Sequence, residues 1–355
     1  MKKLILILLI FVFACMPAYA EENDNIYHSK VTEFTEEYGV DFAKLKEYPF
    51  ETIWDTAKEA VTDKIKSPLK LFAKITSVLL LTSFINFFAS DQHKLLISTI
   101  NTVTMIVLFT NMSDSFMLMC SNIISGLSDV RNFMTAFLPV FAGVSFASGE
   151  MITSTVYTGF FMICVVTVAD FCMKYIIPSV NLFMALGITS SISPVINLKP
   201  FCTLYSKAVK IGMTASVSVL CFFLTLQTTI TQSQDSMALK TGKFIVNSAV
   251  PIIGSALQSA VGSIYSSMGV LKGFFGVAGI LVIINMFLPA VTSLALNWIG
   301  YYFMIALSEI LENETATDIL TVFKETTEIL LSMSVLFMIL LVFSITVMIK
   351  ITQGV

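Results

Sequence analysis

Residues 273–308 read GFFGVAGILVIINMFLPAVTSLALNWIGYYFMIALS, a run of 36 residues without a charge. An α-helix of that length extends about 54 Å, whereas the hydrocarbon core of a bilayer is about 30 Å thick. Because one ordinary crossing does not use so many residues, we predict that the run breaks near Pro289 into two membrane spans. This stretch alone predicts an integral membrane protein.

Eight other runs have the same character, since none of them contains a charged residue. Each is close to, or longer than, the roughly 20 residues that a helix needs to cross the hydrocarbon core. With the two halves of residues 273–308 they predict an all-α fold, a polytopic transmembrane helical bundle of eight to ten spans behind a small helical ectodomain. The eight runs are Ile75–Ser90, Leu95–Ser113, Asn132–Gly149, Met151–Ala169, Tyr175–Leu198, Ile211–Gln234, Phe244–Leu271 and Ile329–Ile349.

The composition of the 355 residues agrees with this class and excludes others. Only 13% are charged, against about 25% in soluble domains. The net charge is -3 and the 21 basic residues form no dense run, which excludes a nucleic-acid-binding protein. Arg131 is the only arginine among them, a bias that we attribute to genome composition.

Signatures of catalysis and of cofactor binding are absent from the sequence. There is no GxxxxGK[ST], HExxH or GxSxG motif. The six cysteines include no CxxC pair and the two histidines are far apart, so neither a zinc site nor a disulfide framework has support. We therefore predict a protein that is not an enzyme, with no catalytic residue, no cofactor and no metal.

The first 68 residues differ from the rest. Residues 1–20 carry two lysines, an apolar stretch and Ala-Tyr-Ala at 18–20, which predicts a signal peptide that is cleaved after Ala20. Residues 21–68 hold half of the 24 acidic residues and predict an extracytoplasmic segment of amphipathic helices that lies on the membrane or on a partner. Residues 69–350 then form the polytopic membrane domain, with the mature N-terminus outside the cytoplasm.

Orientation depends on the lysines between the spans. Lys199, Lys207 and Lys210 form the richest basic loop and predict a cytoplasmic position for it. Ten spans satisfy this with an external N-terminus, but Lys240 and Lys243 then fall outside, against the rule. A re-entrant stretch at 133–149 reverses everything after it, and 245–267 is a second candidate for a re-entrant stretch.

An internal repeat is suggested by two proline-centred segments. FLPVFAG at 137–143 resembles AVPIIGS at 249–255, and the next proline follows 39 and 38 residues after the first. Repeat units of about 133–195 and 245–308 are typical of membrane transport folds, parallel if four crossings separate their starts and inverted if three do. Chance similarity among apolar residues is the alternative.

Small residues accompany these prolines, most densely between Lys243 and Lys272. Small side chains allow close helix packing in membranes, and broken helices that line a cavity favour them too. Both interpretations stay open. The candidate residues for lining a conduit or for packing are Pro139, Gly143, Pro251, Gly254, Ala256 and Gly262.

Asp170 and Lys174 stand four residues apart, so one helical turn brings them together as a candidate intramembrane ion pair. A structural pair or a lysine that reaches the interface is one interpretation, and a translocation role is the other. Glu150 is the only charge between two apolar runs, and we expect it to be solvated in a loop or at the interface.

With its signal, acidic ectodomain and polytopic body, the chain resembles the stage III sporulation protein AE family of endospore-forming bacteria. The resemblance is strongest over residues 243–311, which begin KFIVNSAVPIIGSALQSAVGS. It implies a place in the mother-cell membrane around the forespore, in a complex of several membrane subunits that resembles a secretion apparatus. That complex is thought to form a channel that sustains forespore gene expression. The resemblance brings no catalytic residue.

Three functions follow as hypotheses. The first is a subunit that forms or gates the membrane conduit of this complex, in contact with lipid and the other subunits, with a homo-oligomer as an open alternative. The second is a scaffold that recruits other subunits through residues 21–68. The third is a stand-alone secondary transporter, for which Asp170 and Lys174 are the only coupling site on offer.

Overall fold

The structure is a computed structural model that describes residues 62, 65–88, 94–192, 199–249 and 254–350. Every element in these ranges is a helix, which confirms the predicted all-α fold. The predicted signal peptide, nearly all of the extracytoplasmic segment and Pro251 lie outside the described residues. In chain order the helices are α1 (Lys66–Phe88), α2 (Lys94–Ala147), α3 (Met151–Phe171), a π-helical segment (Cys172–Ile176), α4 (Ile177–Ile192), α5 (Lys199–Ala249), α6 (Gly254–Ile310) and α7 (Glu314–Lys350).

Six helical stretches are long and apolar enough to cross a membrane, which supports the predicted transmembrane bundle. The described residues give six such stretches rather than eight to ten, because the helices continue through several of the predicted breaks. The six are Lys66–Phe88, Ile97–Ala147, Ser154–Ser191, Thr203–Leu226, Ser263–Ile310 and Glu314–Ile349.

The predicted break near Pro289 is wrong, since α6 continues through this proline. Proline removes one backbone hydrogen bond and its ring crowds the preceding turn, at a cost of about 3 kcal/mol. Tight packing on both sides offsets that cost. Phe287 is buried and meets the ring of Phe337 edge-on at 5.8 Å, and Leu294 is 1% exposed. The flanking turns therefore keep one helical path across the proline.

The predicted span Leu95–Ser113 and all but the last two residues of Asn132–Gly149 likewise lie on one helix, α2, which also contains Pro139. The charged residues between the two runs ended the apolar pattern but not the helix. Asp114 and Asp129 are exposed on its surface, where helical backbone hydrogen bonding continues unaffected. A break in hydrophobicity is thus not a break in structure here.

A π-helical segment at Cys172–Ile176 joins α3 to α4, so the predicted span Met151–Ala169 and the described part of Tyr175–Leu198, up to Ile192, also share one continuous path. Pro178 is the second residue after this segment. Its ring would clash with the carbonyl group four residues earlier in a regular helix, and a wider turn relieves such crowding. The proline therefore perturbs the helix locally instead of starting a new one.

The centre of the bundle is α7. Of its most apolar 18-residue window, 83% is buried, against 6% for the corresponding window of α5. It contacts α2, α3, α4, α5 and α6. A helix that is enclosed on all sides must be apolar all round, which explains why residues 329–349 contain no charge.

Close approaches to α6 occur at glycines. A Cβ atom at Gly279 would fall 2.5 Å from Cζ of Phe137 on α2, and one at Gly300 would overlap the ring of Phe72 on α1. Phe137 is stacked between Phe133 and Phe141, at centroid distances of 5.3 and 5.4 Å. These contacts fix α6 against α1 and α2.

Candidate functional site

The turn between α2 and α3 positions Glu150. Gly149 has a φ of 90°, a left-handed conformation that glycine adopts at little cost, and this reverses the chain. Glu150 is the residue at the N-cap of α3, but its side chain makes no capping hydrogen bond. The carboxylate is instead directed at α6.

There it meets Lys272, whose Nζ donates a hydrogen bond to Oε2 of Glu150. Lys272 is fully buried and Glu150 is 7% exposed. The expectation that Glu150 is solvated is therefore wrong, because the turn that carries it is covered by α6. Charges withdrawn from water are costly unless they are paired, so this pair ties the α2–α3 turn to α6.

A second cluster lies at the π-helical segment. The spacing of Asp170 and Lys174 indicated a pair, and the lysine Nζ is 2.8 Å from Oδ2 of the aspartate. Arg131 of α2 joins them, with Nη1 2.9 Å from Oδ1. Both oxygens of the Asp170 carboxylate are thus engaged, and the cluster links α2 to α3. Whether it has a role in translocation stays a prediction.

Sequence reasoning missed the part that Arg131 has here. Its local signal was only its uniqueness among the basic residues, and its partner stands 39 positions further along the chain. The planar guanidinium group suits a carboxylate and is always charged, which lysine matches less well. An arginine beside an uncharged run therefore indicates an acidic partner on a neighbouring helix.

A third pair joins α5 to α7. Nζ of Lys210 lies 2.7 Å from Oε1 of Glu328, and both side chains are partly buried. One turn earlier on α7, Nζ of Lys324 stands 5.0 Å from the ring centre of Tyr302 on α6. Lys210, Glu328 and Lys324 thus have partners on neighbouring helices.

The candidate conduit residues are distributed over two helices. Pro139 and Gly143 lie on α2, and a Cβ atom at Gly143 would have no neighbour within 4 Å. Gly254, Ala256 and Gly262 lie in the first turns of α6, where the structure describes the backbone only. Their part in a conduit or in packing stays a prediction.

The described residues show neither a disulfide bond nor a metal site beside these ion pairs. The four cysteines with described side chains are free thiols, and Cys120, Cys164 and Cys172 are buried. In the described part of the chain, no three His, Cys, Asp or Glu side chains come together as a metal site requires.

Comparison with known proteins supports one family. The family model described as stage III sporulation protein AE matches residues 36–352, nearly the whole chain. No curated protein and no solved structure matches this chain. The match includes α1 to α7 and all three ion-pair groups.

Proposed function

The chain belongs to the stage III sporulation protein AE family, and from this premise we propose that it is a non-enzymatic subunit of the channel complex that links mother cell and forespore. In this role it forms or gates the membrane conduit of the complex and is needed for forespore gene expression and development. It resides in the mother-cell membrane around the forespore, with its mature N-terminus outside the cytoplasm and other membrane subunits as partners.

The length of α6 supports this role most directly. Its 57 residues extend about 85 Å, nearly three times the hydrocarbon thickness of a bilayer. A subunit of a passage between two membranes must extend beyond its own bilayer, and α2 and α5, with 54 and 51 residues, are similarly long. A stand-alone permease has no comparable need for this length.

Gly262→Leu is expected to leave assembly of the complex intact and to reduce late forespore gene expression at least tenfold. The added side chain would narrow a passage that is lined by the small residues of α6. Gly273→Leu on the same helix is the matched control, since a Cβ atom at Gly273 has no neighbour within 4 Å. A forespore reporter gene and co-purification of the partner subunits measure the two effects.

The scaffold hypothesis predicts that forespore gene expression is unchanged in the Gly262→Leu variant. If Gly262→Leu leaves both assembly and forespore expression at the level of the Gly273→Leu control, the protein recruits partners without providing a passage. If Gly262→Leu abolishes assembly as well, the small residues act in helix packing.

A secondary transporter would depend on Asp170 and Lys174. We expect the double variant Asp170→Ala, Lys174→Ala to sporulate within about twofold of the wild type, since both groups lie partly exposed at the bundle surface. Spore counts after heat treatment measure this. A hundredfold loss, with the protein still present in the membrane, would instead favour a coupling role for the pair.

A further inference from the structure

Ion pairs mark two levels of the bundle. Glu150 and Lys272 form the first level, at the α2–α3 turn. The Arg131–Asp170–Lys174 cluster forms the second. The Lys210–Glu328 pair lies beyond the second level, because Phe323, just before Glu328 on α7, meets Phe116, which lies well before Arg131 on α2. An uncharged section of the bundle lies between the two levels.

Side-chain contacts fix the register of the helices at the first level. Gly276, one turn after Lys272, lies against Ile349 near the end of α7, and a Cβ atom there would fall 3.4 Å from Phe141 of α2. On α3 the hydroxyl group of Tyr157 donates a hydrogen bond of 2.8 Å to the carbonyl oxygen of Ser344. The α2–α3 turn, Lys272 and the end of α7 therefore share one end of the uncharged section.

The distance between the levels follows from the number of residues that separate them. Uncharged runs of 18 and 19 residues connect the two levels, 132–149 on α2 and the turn after it, and 151–169 on α3. At 1.5 Å per residue these runs extend about 27 and 29 Å. Both values match the roughly 30 Å of a hydrocarbon core. On α5, the uncharged run 211–234 starts directly after Lys210.

We propose that the hydrocarbon of the bilayer covers only this section, with a boundary at each level of ion pairs. Consequently α1 and the first half of α2 stand outside the hydrocarbon on one side, and the polar end of α5 stands outside on the other. The second level has the features of an interface. Lys174 and Tyr175 are strongly exposed there, as expected for a lysine and a tyrosine at the level of the headgroups.

The competing placement puts the bilayer around α1 and the first half of α2, which expose many large apolar side chains. This placement immerses several charged residues, because the helices beyond the second level carry charges. Burying charges in hydrocarbon is costly, and the section that we propose contains none. The charges immersed by the competing placement include Lys70 and Lys74 on α1, Asp114 on α2, Lys207 on α5, and Asp318, Lys324 and Glu325 on α7.

Two valines with matched exposure allow a direct test. Val219 on α5 lies inside the proposed section and is 52% exposed, and Val103 on α2 lies outside it and is 54% exposed. Each is replaced by cysteine in the full-length chain without its six native cysteines, labelled with a nitroxide and reconstituted in liposomes. Collisions with molecular oxygen, which concentrates in hydrocarbon, are compared with collisions with a water-soluble nickel chelate.

We expect Val219→Cys to collide at least fivefold more often with oxygen than with the chelate, and Val103→Cys to lack this preference. Oxygen preference at Val103→Cys, or its absence at Val219→Cys, would overturn the placement. Val156→Cys on α3 and Leu80→Cys on α1 form a second pair, 44% and 52% exposed, in case a variant of the first pair does not fold. The placement does not depend on the proposed function.

Discussion

Glu150→Gln and Lys272→Met are each expected to lower the free energy of unfolding by about 3–5 kcal/mol, because each breaks the ion pair and leaves the other charge buried. This is a large part of the stability of a typical domain. Thermal or denaturant unfolding of the purified protein in detergent measures the loss, and the amount of protein in the membrane should fall in parallel.

The double variant Glu150→Gln, Lys272→Met distinguishes a pairing effect from two separate packing defects. It removes both charges together and should recover most of the loss, as replacement of a whole buried pair by groups of similar volume often does. Lys174→Met is the matched control, since its side chain is 67% exposed and its loss should be small. Additive losses in the double variant would contradict a direct interaction of the two charges.

Gly279→Ala is expected to destabilise the bundle by about 1–3 kcal/mol, because its Cβ atom would meet the ring of Phe137 at 2.5 Å. The ring cannot move aside easily, since Phe133 and Phe141 are stacked on its two sides. A shift of α6 away from α2 would relieve the clash at the expense of packing elsewhere. The same unfolding measurement in detergent detects the change.

Gly273→Ala is the control for this variant. It lies on the same helix with open space around a Cβ atom, so the higher helix propensity of alanine should leave stability unchanged or raise it by about 0.5–1 kcal/mol. Equal losses at the two glycines would show that α6 responds to substitution in general and not to the contact with Phe137.

The helical class was predictable because uncharged runs of bilayer length leave few other folds. The number of helices was not. Asp114, Asp129 and Arg131 interrupt the apolar pattern of α2 without interrupting its backbone, since a charge ends a hydrophobic run but can remain exposed on a continuing helix. The helix accommodates Pro178 through a π-helical segment and Pro289 through packing of the flanking turns. Both solutions depend on tertiary contacts.

For the candidate site, the local pair was predictable and the long-range pairs were not. Asp170 and Lys174 are neighbours on one helical turn, so their spacing sufficed. Glu150 and Lys272 are 122 residues apart. A usable signal did exist, because each is the only charge between two long apolar runs and their charges are opposite. The rule that charges within membranes pair with one another would have linked them.

The central place of α7 has a consequence for the biogenesis of the protein. A ribosome delivers the chain from its N-terminus, and α7 follows every other described helix. Helices α1 to α6 are therefore synthesised before the helix that fills their centre. Until α7 has been synthesised, the surfaces of the other helices that pack against it have no partner. Insertion machinery and quality-control proteases thus encounter an incompletely folded protein, and folding is completed when α7 packs between the other helices.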